Sequence, residues 1–147
     1  MEQFTDLQIK TAEAQLHSML MREHNDCVVR ALSVAASVPY PEVHRTLKSL
    51  GRRGRSGTKL DPMFKASETF GLRVLGIYGS TKRARFVEER MGYDRQSGMT
   101  LGTFRRINNK GRFMVVVTGH ALVVHDGVKS DSTSDNKEVF AVFTSEV

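Results

Sequence analysis

The dipeptide Asp126-Gly127 constrains the fold of this chain more than any other short segment. It separates the apolar run 120–125 from the segment 128–131, and Asp-Gly is the typical centre of a two-residue β-hairpin turn. Two further runs, 113–118 and 139–143, are rich in valine and phenylalanine, which favour strands. The C-terminal third of the sequence therefore predicts an antiparallel sheet.

Helical patterns interrupted by proline or glycine dominate the chain before this region. Residues 5–22 carry an approximate apolar stripe that predicts a first helix, and the expected core face comprises Leu7, Ile9, Ala12, Leu16, Met19 and Leu20. Further helices are expected at about 26–36, 41–50, 61–70 and 100–107, with a strand at 72–78 and a short helix within 79–99. Helices followed by strands indicate an α+β fold, with N-terminal helices packed on a C-terminal antiparallel sheet.

Composition narrows the function classes. A chain of 147 residues with 39% apolar content is typical of one globular domain. The single cysteine excludes an internal disulfide framework and a cysteine-rich zinc site, so we expect no metal and no cofactor. The first residues lack a signal-peptide pattern, and no apolar run is long enough to span a bilayer. We therefore expect a cytoplasmic protein that does not bind membranes.

The only cysteine, Cys27, follows two residues that commonly cap helices. Asn25 and Asp26 are both favoured at the N-cap, and an apolar helical run begins directly after them. With either residue as the cap, Cys27 falls in the first helical turn, where backbone N–H groups and the helix dipole favour a thiolate. Taken by itself, the pattern suits a nucleophile or a small buried apolar side chain.

The expected hairpin brings a histidine and a carboxylate together. If Asp126-Gly127 is the turn, His125 lies opposite Val128, and His120 becomes a diagonal neighbour of Asp131 on the same face of the sheet. A carboxylate there can orient the imidazole and stabilise its charged form. Asp126 is the lower-ranked alternative, because it lies at the other end of the strand from His120. A purely structural histidine is the plainer interpretation.

Together these motifs resemble those of small papain-like cysteine peptidases. They are the segment 25–32 around the cysteine, the strand entry 111–113, the tripeptide 119–121 and the tripeptide 125–127. The chain is most similar to a group of short phage-encoded proteins with this fold, and more distantly similar to the peptidase domains of bacteriocin exporters. The resemblance covers about residues 22–135. It implies a single papain-like domain over residues 1–147, in which 1–22 are an integral helix or an addition.

The resemblance also implies roles for individual residues. Cys27 would be the nucleophile, His120 the general base and Asp131 the orienting residue. The Cys27 N–H and the Asn25 amide would hold the oxyanion, since the glutamine that papain-like enzymes usually carry before the cysteine is absent from residues 21–25. The implied activity is that of a thiol hydrolase acting on a protein or peptide, and the location would be the host cytoplasm if the chain is phage-encoded.

A basic, glycine-rich loop offers a different function. The net charge is +6, and residues 51–59 contain four cations: Arg52, Arg53, Arg55 and Lys59. Such a loop can bind phosphates or an acidic partner, although a solvated mobile loop is the plainer interpretation. A second basic cluster lies at residues 82–86. On this alternative the chain is a catalytically weak or inactive papain-like protein that binds or inhibits a host protein, or binds nucleic acid, through its basic loops.

Overall fold

The structure is a computed structural model that describes residues 5–145. Within these residues six helices and a six-stranded sheet confirm the α+β class. Contacts between residues divide the chain between Leu72 and Arg73 into an N-terminal and a C-terminal unit. The single domain expected from the sequence stays a prediction. No helix in the described range has the length and apolar character needed to cross a membrane.

The N-terminal unit is helical. Its elements are α1 (Asp6–Leu20), α2 (Cys27–Ala36), α3 (Tyr40–Ser49) and α4 (Leu60–Thr69), which confirms the four helices expected from the sequence. Helix α1 begins with a capping box, in which Thr5 Oγ1 accepts from the Gln8 N–H and the Thr5 N–H donates to Gln8 Oε1. The core side chains of α2 and α3 are fully buried; they include Val29, Leu32, Val43 and Leu47.

The core face expected for α1 was wrong. The helix buries Leu7, Ala14 and Ser18, whereas most of the predicted stripe is exposed: Ile9, Leu16, Met19 and Leu20. The physical reason is a polar contact, because the Ser18 hydroxyl donates to the buried carboxylate of Asp26 at 2.6 Å. The inner face of α1 therefore contains a hydrogen bond to a buried charge, while four larger apolar side chains of the predicted stripe lie on the exposed face.

The C-terminal unit contains the sheet and two helices. Its elements are β1 (Arg73–Tyr78), α5 (Lys82–Met91), β2 (Arg95–Gln96), α6 (Leu101–Ile107), β3 (Arg112–Val117), β4 (His120–His125), β5 (Val128–Lys129) and β6 (Val139–Thr144). The strand order is β2-β1-β6-β3-β4-β5. Phe104 and Phe113 meet edge to face at 5.3 Å in the core of this unit, against Leu101 and Val124.

The prediction of a wholly antiparallel sheet was wrong. Strands β1 and β2 pair in parallel, so the sheet is mixed. Parallel neighbouring strands require a crossover connection. Helix α5 provides this connection, because it lies between β1 and β2 in the chain. Strand β2 has only the residues Arg95 and Gln96, both exposed, so no apolar alternation could reveal it.

The β4–β5 hairpin confirms the predicted turn and register. His125 pairs with Val128, and Asp126 and Gly127 have φ angles of +50° and +81°. Positive φ at both central residues is the requirement of a type I′ turn. The return strand is shorter than expected, because β5 ends at Lys129.

Replacing Gly127 by Ala is expected to lower the free energy of unfolding by about 1–2 kcal/mol, because an L-residue is strained at this φ. A Cβ at Gly127 would meet its nearest neighbours at 3.6 Å, so backbone strain and not a clash is the cause. Gly98→Ala is the matched control in the same unit, since no left-handed φ and no contact under 3.8 Å opposes it. Equal urea midpoints for the two variants would contradict this account.

Candidate active site

Cys27 is the first residue of α2 and is half-buried. The structure confirms that Asp26 occupies the N-cap position and that the cysteine lies in the first turn. The first turn of a helix presents N–H groups that the helix itself does not use, and the dipole adds positive potential there. Positions of this kind stabilise negative charge.

The Asp26 carboxylate does not cap the helix as its residue type suggests. No backbone N–H group at the start of α2 donates a capping hydrogen bond to its side chain. Instead, Asp26 accepts from Ser18 Oγ and Tyr40 Oη, each at 2.6 Å, and from Arg30 Nε at 3.1 Å. Burial alone would raise the pKa of this carboxyl, but the two hydroxyls and the Arg30 charge lower it below its usual value. The ionised carboxylate of Asp26 therefore joins the residue before Cys27 to α1, α2 and α3.

Glu23 organises the chain that leads to the candidate nucleophile. Its nearly buried carboxylate accepts from His44 Nε2 at 2.5 Å, from both terminal nitrogens of Arg52 at 3.2 Å and from the Arg55 N–H at 2.7 Å. Burial alone would raise the pKa of Glu23, but these donors, Arg52 foremost, outweigh it and hold the pKa at about 2. The basic loop is thereby tied to residues 22–25.

This network changes the interpretation of the basic loop. Arg52 was expected to be available to a partner, but its side chain is only 2% exposed and is paired with Glu23. Arg55 is exposed, yet its Nε donates to the Arg22 carbonyl. Of the four predicted cations, Arg53 and Lys59 are the ones exposed without such a described hydrogen bond. A buried guanidinium serves the fold of the loop.

Asn25, the predicted oxyanion donor, lies two residues before Cys27 with a φ of +54°. Its Nδ2 donates to the Arg55 carbonyl at 3.3 Å, so one amide proton is directed at the loop. A side-chain amide carries two protons, and the second is the one that the predicted role requires.

The C-terminal unit contains the predicted contact between His120 and Asp131. His120 Nε2 lies 2.7 Å from Asp131 Oδ2, and both side chains are about one-third exposed. Thr133 fixes the carboxylate, because its N–H and its hydroxyl both donate to Asp131 Oδ1, at 2.9 and 2.5 Å. Strand β5 ends at Lys129, so Asp131 reaches the imidazole from the segment that follows the strand.

The charge of Asp131 determines how the imidazole is protonated. Burial alone would raise its pKa, but the hydrogen bonds from His120 and Thr133 lower it to about 2. At neutral pH an ionised carboxylate only accepts hydrogen bonds, so Nε2 of His120 carries the shared proton. In the neutral imidazole the basic lone pair is then on Nδ1.

Asp126, the alternative carboxylate, is used elsewhere. Its Oδ1 accepts from the Gly111 N–H at 2.8 Å, and its Oδ2 lies 3.8 Å from His125 Nε2.

The candidate residues are divided between the two units. Cys27 belongs to the N-terminal unit, whereas His120 and Asp131 belong to the C-terminal unit. Among residues 5–145, no cluster of three or more His, Cys, Asp or Glu side chains has the arrangement of a metal site.

Comparison of the chain with models of protein families, with curated proteins and with solved structures finds no match. The site must therefore be interpreted from its own geometry.

Proposed function

We propose that this chain is a cytoplasmic thiol hydrolase of the papain-like kind, a peptidase or an isopeptidase. Cys27 is the nucleophile, His120 the general base and Asp131 the carboxylate that orients it. The observation that carries the proposal is the hydrogen bond from His120 Nε2 to Asp131 Oδ2, which directs the basic lone pair to Nδ1. The helix start at Cys27 supports the other half of the proposed pair.

In the proposed reaction, Nδ1 of His120 takes the thiol proton, and the Cys27 sulfur forms a bond to the carbonyl carbon of an amide. The carbonyl oxygen becomes an oxyanion, for which the Cys27 N–H and the Asn25 amide are the proposed donors. When the C–N bond breaks, the imidazolium gives its proton to the leaving amine, and a thioester remains. His120 then takes a proton from water, whose oxygen attacks the thioester carbon. The C–S bond breaks, the carboxylic acid is released, and the imidazolium returns its proton to the Cys27 sulfur.

The two buried carboxylates of the N-terminal unit are compatible with this chemistry. A negative charge beside Cys27 disfavours a thiolate, but the Asp26 carboxylate is neutralised by Arg30 and held by two hydroxyls. Glu23 is likewise matched by Arg52. Both carboxylates are therefore paired with cations, so neither strongly reduces the positive potential at the start of α2.

The test is the rate of Cys27 alkylation by iodoacetamide as a function of pH. We expect alkylation of the native protein to rise well below pH ~8.5, where a free thiol ionises. In His120→Ala the rise should move towards that value, and the rate at pH 6.5 should fall at least about tenfold, because each pH unit of displacement changes the thiolate fraction tenfold. His125→Ala is the matched control, since it removes an equally exposed histidine from the other end of β4.

A cysteine that alkylates as an ordinary thiol in all three proteins would contradict the enzyme. The remaining candidate would then be a binding or inhibitory protein, for which Arg53 and Lys59 are the exposed basic-loop cations without a described hydrogen bond.

A further inference from the structure

The outer face of helix α5 combines cations with an exposed aromatic ring. Lys82, Phe86 and Arg90 are four residues apart, so they form one row along the helix, and all three are exposed. The opposite face buries Ala84 and Val87 completely. Phe86 is 47% exposed. The helix thus has an apolar inner face, yet it places its largest apolar side chain outside.

The charge on this face is predominantly positive. Lys82, Arg85 and Arg90 are exposed cations, and Glu89 is the exposed carboxylate among the ten residues of the helix. Glu88 is half-buried and is neutralised by Arg95 at 3.3 Å. The surface therefore attracts anions.

Arg83 is also exposed, but it contacts β6. Its guanidinium lies 4.5 Å from the centroid of the Phe140 ring, and burial lowers its pKa. It stabilises the packing of α5 on β6 and is not counted in the surface.

We propose that the α5 face formed by Lys82, Arg85, Phe86 and Arg90 binds single-stranded nucleic acid. The three cations would contact phosphates, and one base would stack on Phe86. The Arg90 guanidinium lies over the Phe86 ring, 5.8 Å from its centre, so a base would stack on the other side of this ring with a cation close to its phosphate. Stacking of this kind tolerates any sequence, because every base has a flat face.

The exposed ring distinguishes among the three anionic polymers that this surface could attract. An acidic polypeptide would satisfy the cations, but its carboxylates offer no flat partner to Phe86. Duplex nucleic acid keeps its bases stacked internally and would use the cations alone. A single strand is the polymer that uses both features.

The experiment measures binding of a fluorescently labelled oligothymidylate of twelve nucleotides to the whole chain. Fluorescence anisotropy is recorded over a series of salt concentrations. Phe86→Ala should weaken binding about 5- to 150-fold with an unchanged salt slope, because one stacked base is lost. The double variant Lys82→Gln/Arg90→Gln should instead reduce the slope of log K against log salt by about 1.4, at about 0.7 per phosphate contact. All three positions are exposed, so the fold should be retained.

Two matched controls locate the effect on α5. Ile107→Ala removes a 67% exposed apolar side chain from the same unit, and Arg45→Gln/Lys48→Gln removes two exposed cations from α3. Neither should change binding to the oligonucleotide. If the control variants changed the affinity and the salt slope as much as the α5 variants do, binding would reflect the positive charge of the whole chain. That result would overturn the proposal.

Two competitors complete the test. Polyglutamate that competes as well as the oligonucleotide, with Phe86→Ala neutral, would overturn the proposal in favour of an acidic protein. A duplex that binds as tightly as the single strand would overturn it too. The outcome is independent of the alkylation experiment, because none of these variants changes Cys27, His120 or Asp131.

Discussion

Glu23→Gln is expected to lower the free energy of unfolding of the N-terminal unit by about 3–5 kcal/mol, the usual cost of leaving one partner of a buried ion pair uncompensated. The uncompensated group would be Arg52, whose side chain is 2% exposed and whose terminal nitrogens both donate to Glu23. The substitution also replaces one of the two accepting oxygens by an NH2 group, so either His44 at Oε2 or the Arg55 N–H at Oε1 loses its acceptor. Urea unfolding measures the loss, and Glu42→Gln, at an exposed site in the first turn of α3, is the matched control.

The same residue should make the unit sensitive to acid. The pKa of Glu23 lies at about 2 in the folded chain, below its ordinary value of 4.5. Its contribution is therefore complete above pH 4.5 and is lost as the pH falls from 4.5 towards 2, and it amounts to about 3 kcal/mol at 1.36 kcal/mol per unit. Glu23→Gln should flatten the pH dependence of stability in this window. An acid profile equal to that of the native protein would show that Glu23 is not its source.

Asp26→Ala is expected to cost about 3 kcal/mol or more, because the hydroxyls of Ser18 and Tyr40 would remain buried without their acceptor. The substitution also removes the ion pair with Arg30. Urea unfolding again measures the effect. Asp61→Ala is the matched control, since Asp61 is largely exposed and pairs with Lys65 across one helical turn, an arrangement worth less than about 0.5 kcal/mol.

A double-mutant cycle separates the hydrogen bond from the other effects of losing Asp26. If the Tyr40 hydroxyl stabilises the fold through its hydrogen bond to Asp26, the double variant Asp26→Ala/Tyr40→Phe should lose less stability than the two single variants together. The expected difference is about 0.5–3 kcal/mol. Additive costs would contradict the network and would assign the loss to packing.

The hairpin shows where sequence reasoning reaches a tertiary contact. The Asp-Gly turn defines which residues of β4 and the following segment face one another, and alternation then selects the pair on one face. That count predicted the contact between His120 and Asp131, although strand pairing ends at Lys129 and Asp131 lies in the segment that follows β5, where Thr133 holds its carboxylate. Helix boundaries were equally accessible, because caps and breaks such as Thr100 and Gly51 are local signals.

The features that sequence reasoning missed depend on partners far apart in the chain. In the sequence, Glu23 is one carboxylate in a polar segment. Its partner Arg52 lies twenty-nine residues later, and only the structure shows that the two are paired. Ser18 interrupts an apolar stripe, and only the position of Asp26 explains why the helix turns that side inward. Neither pairing leaves a periodic pattern. The parallel strand β2 was missed because two exposed residues carry no alternation.

Strand β6 lies between β1 and β3, although it follows every other strand of its unit in sequence. Until it is synthesised, β1 and β3 each have an open edge, and the sheet consists of two separate pieces. Assembly of the C-terminal unit must therefore wait for its final segment, and the pairing of β1 with β6 is a long-range event of the kind that slows folding. Open edges during that interval are also sites of association between chains. The order of the strands thus makes the newly made C-terminal unit dependent on prompt synthesis of β6.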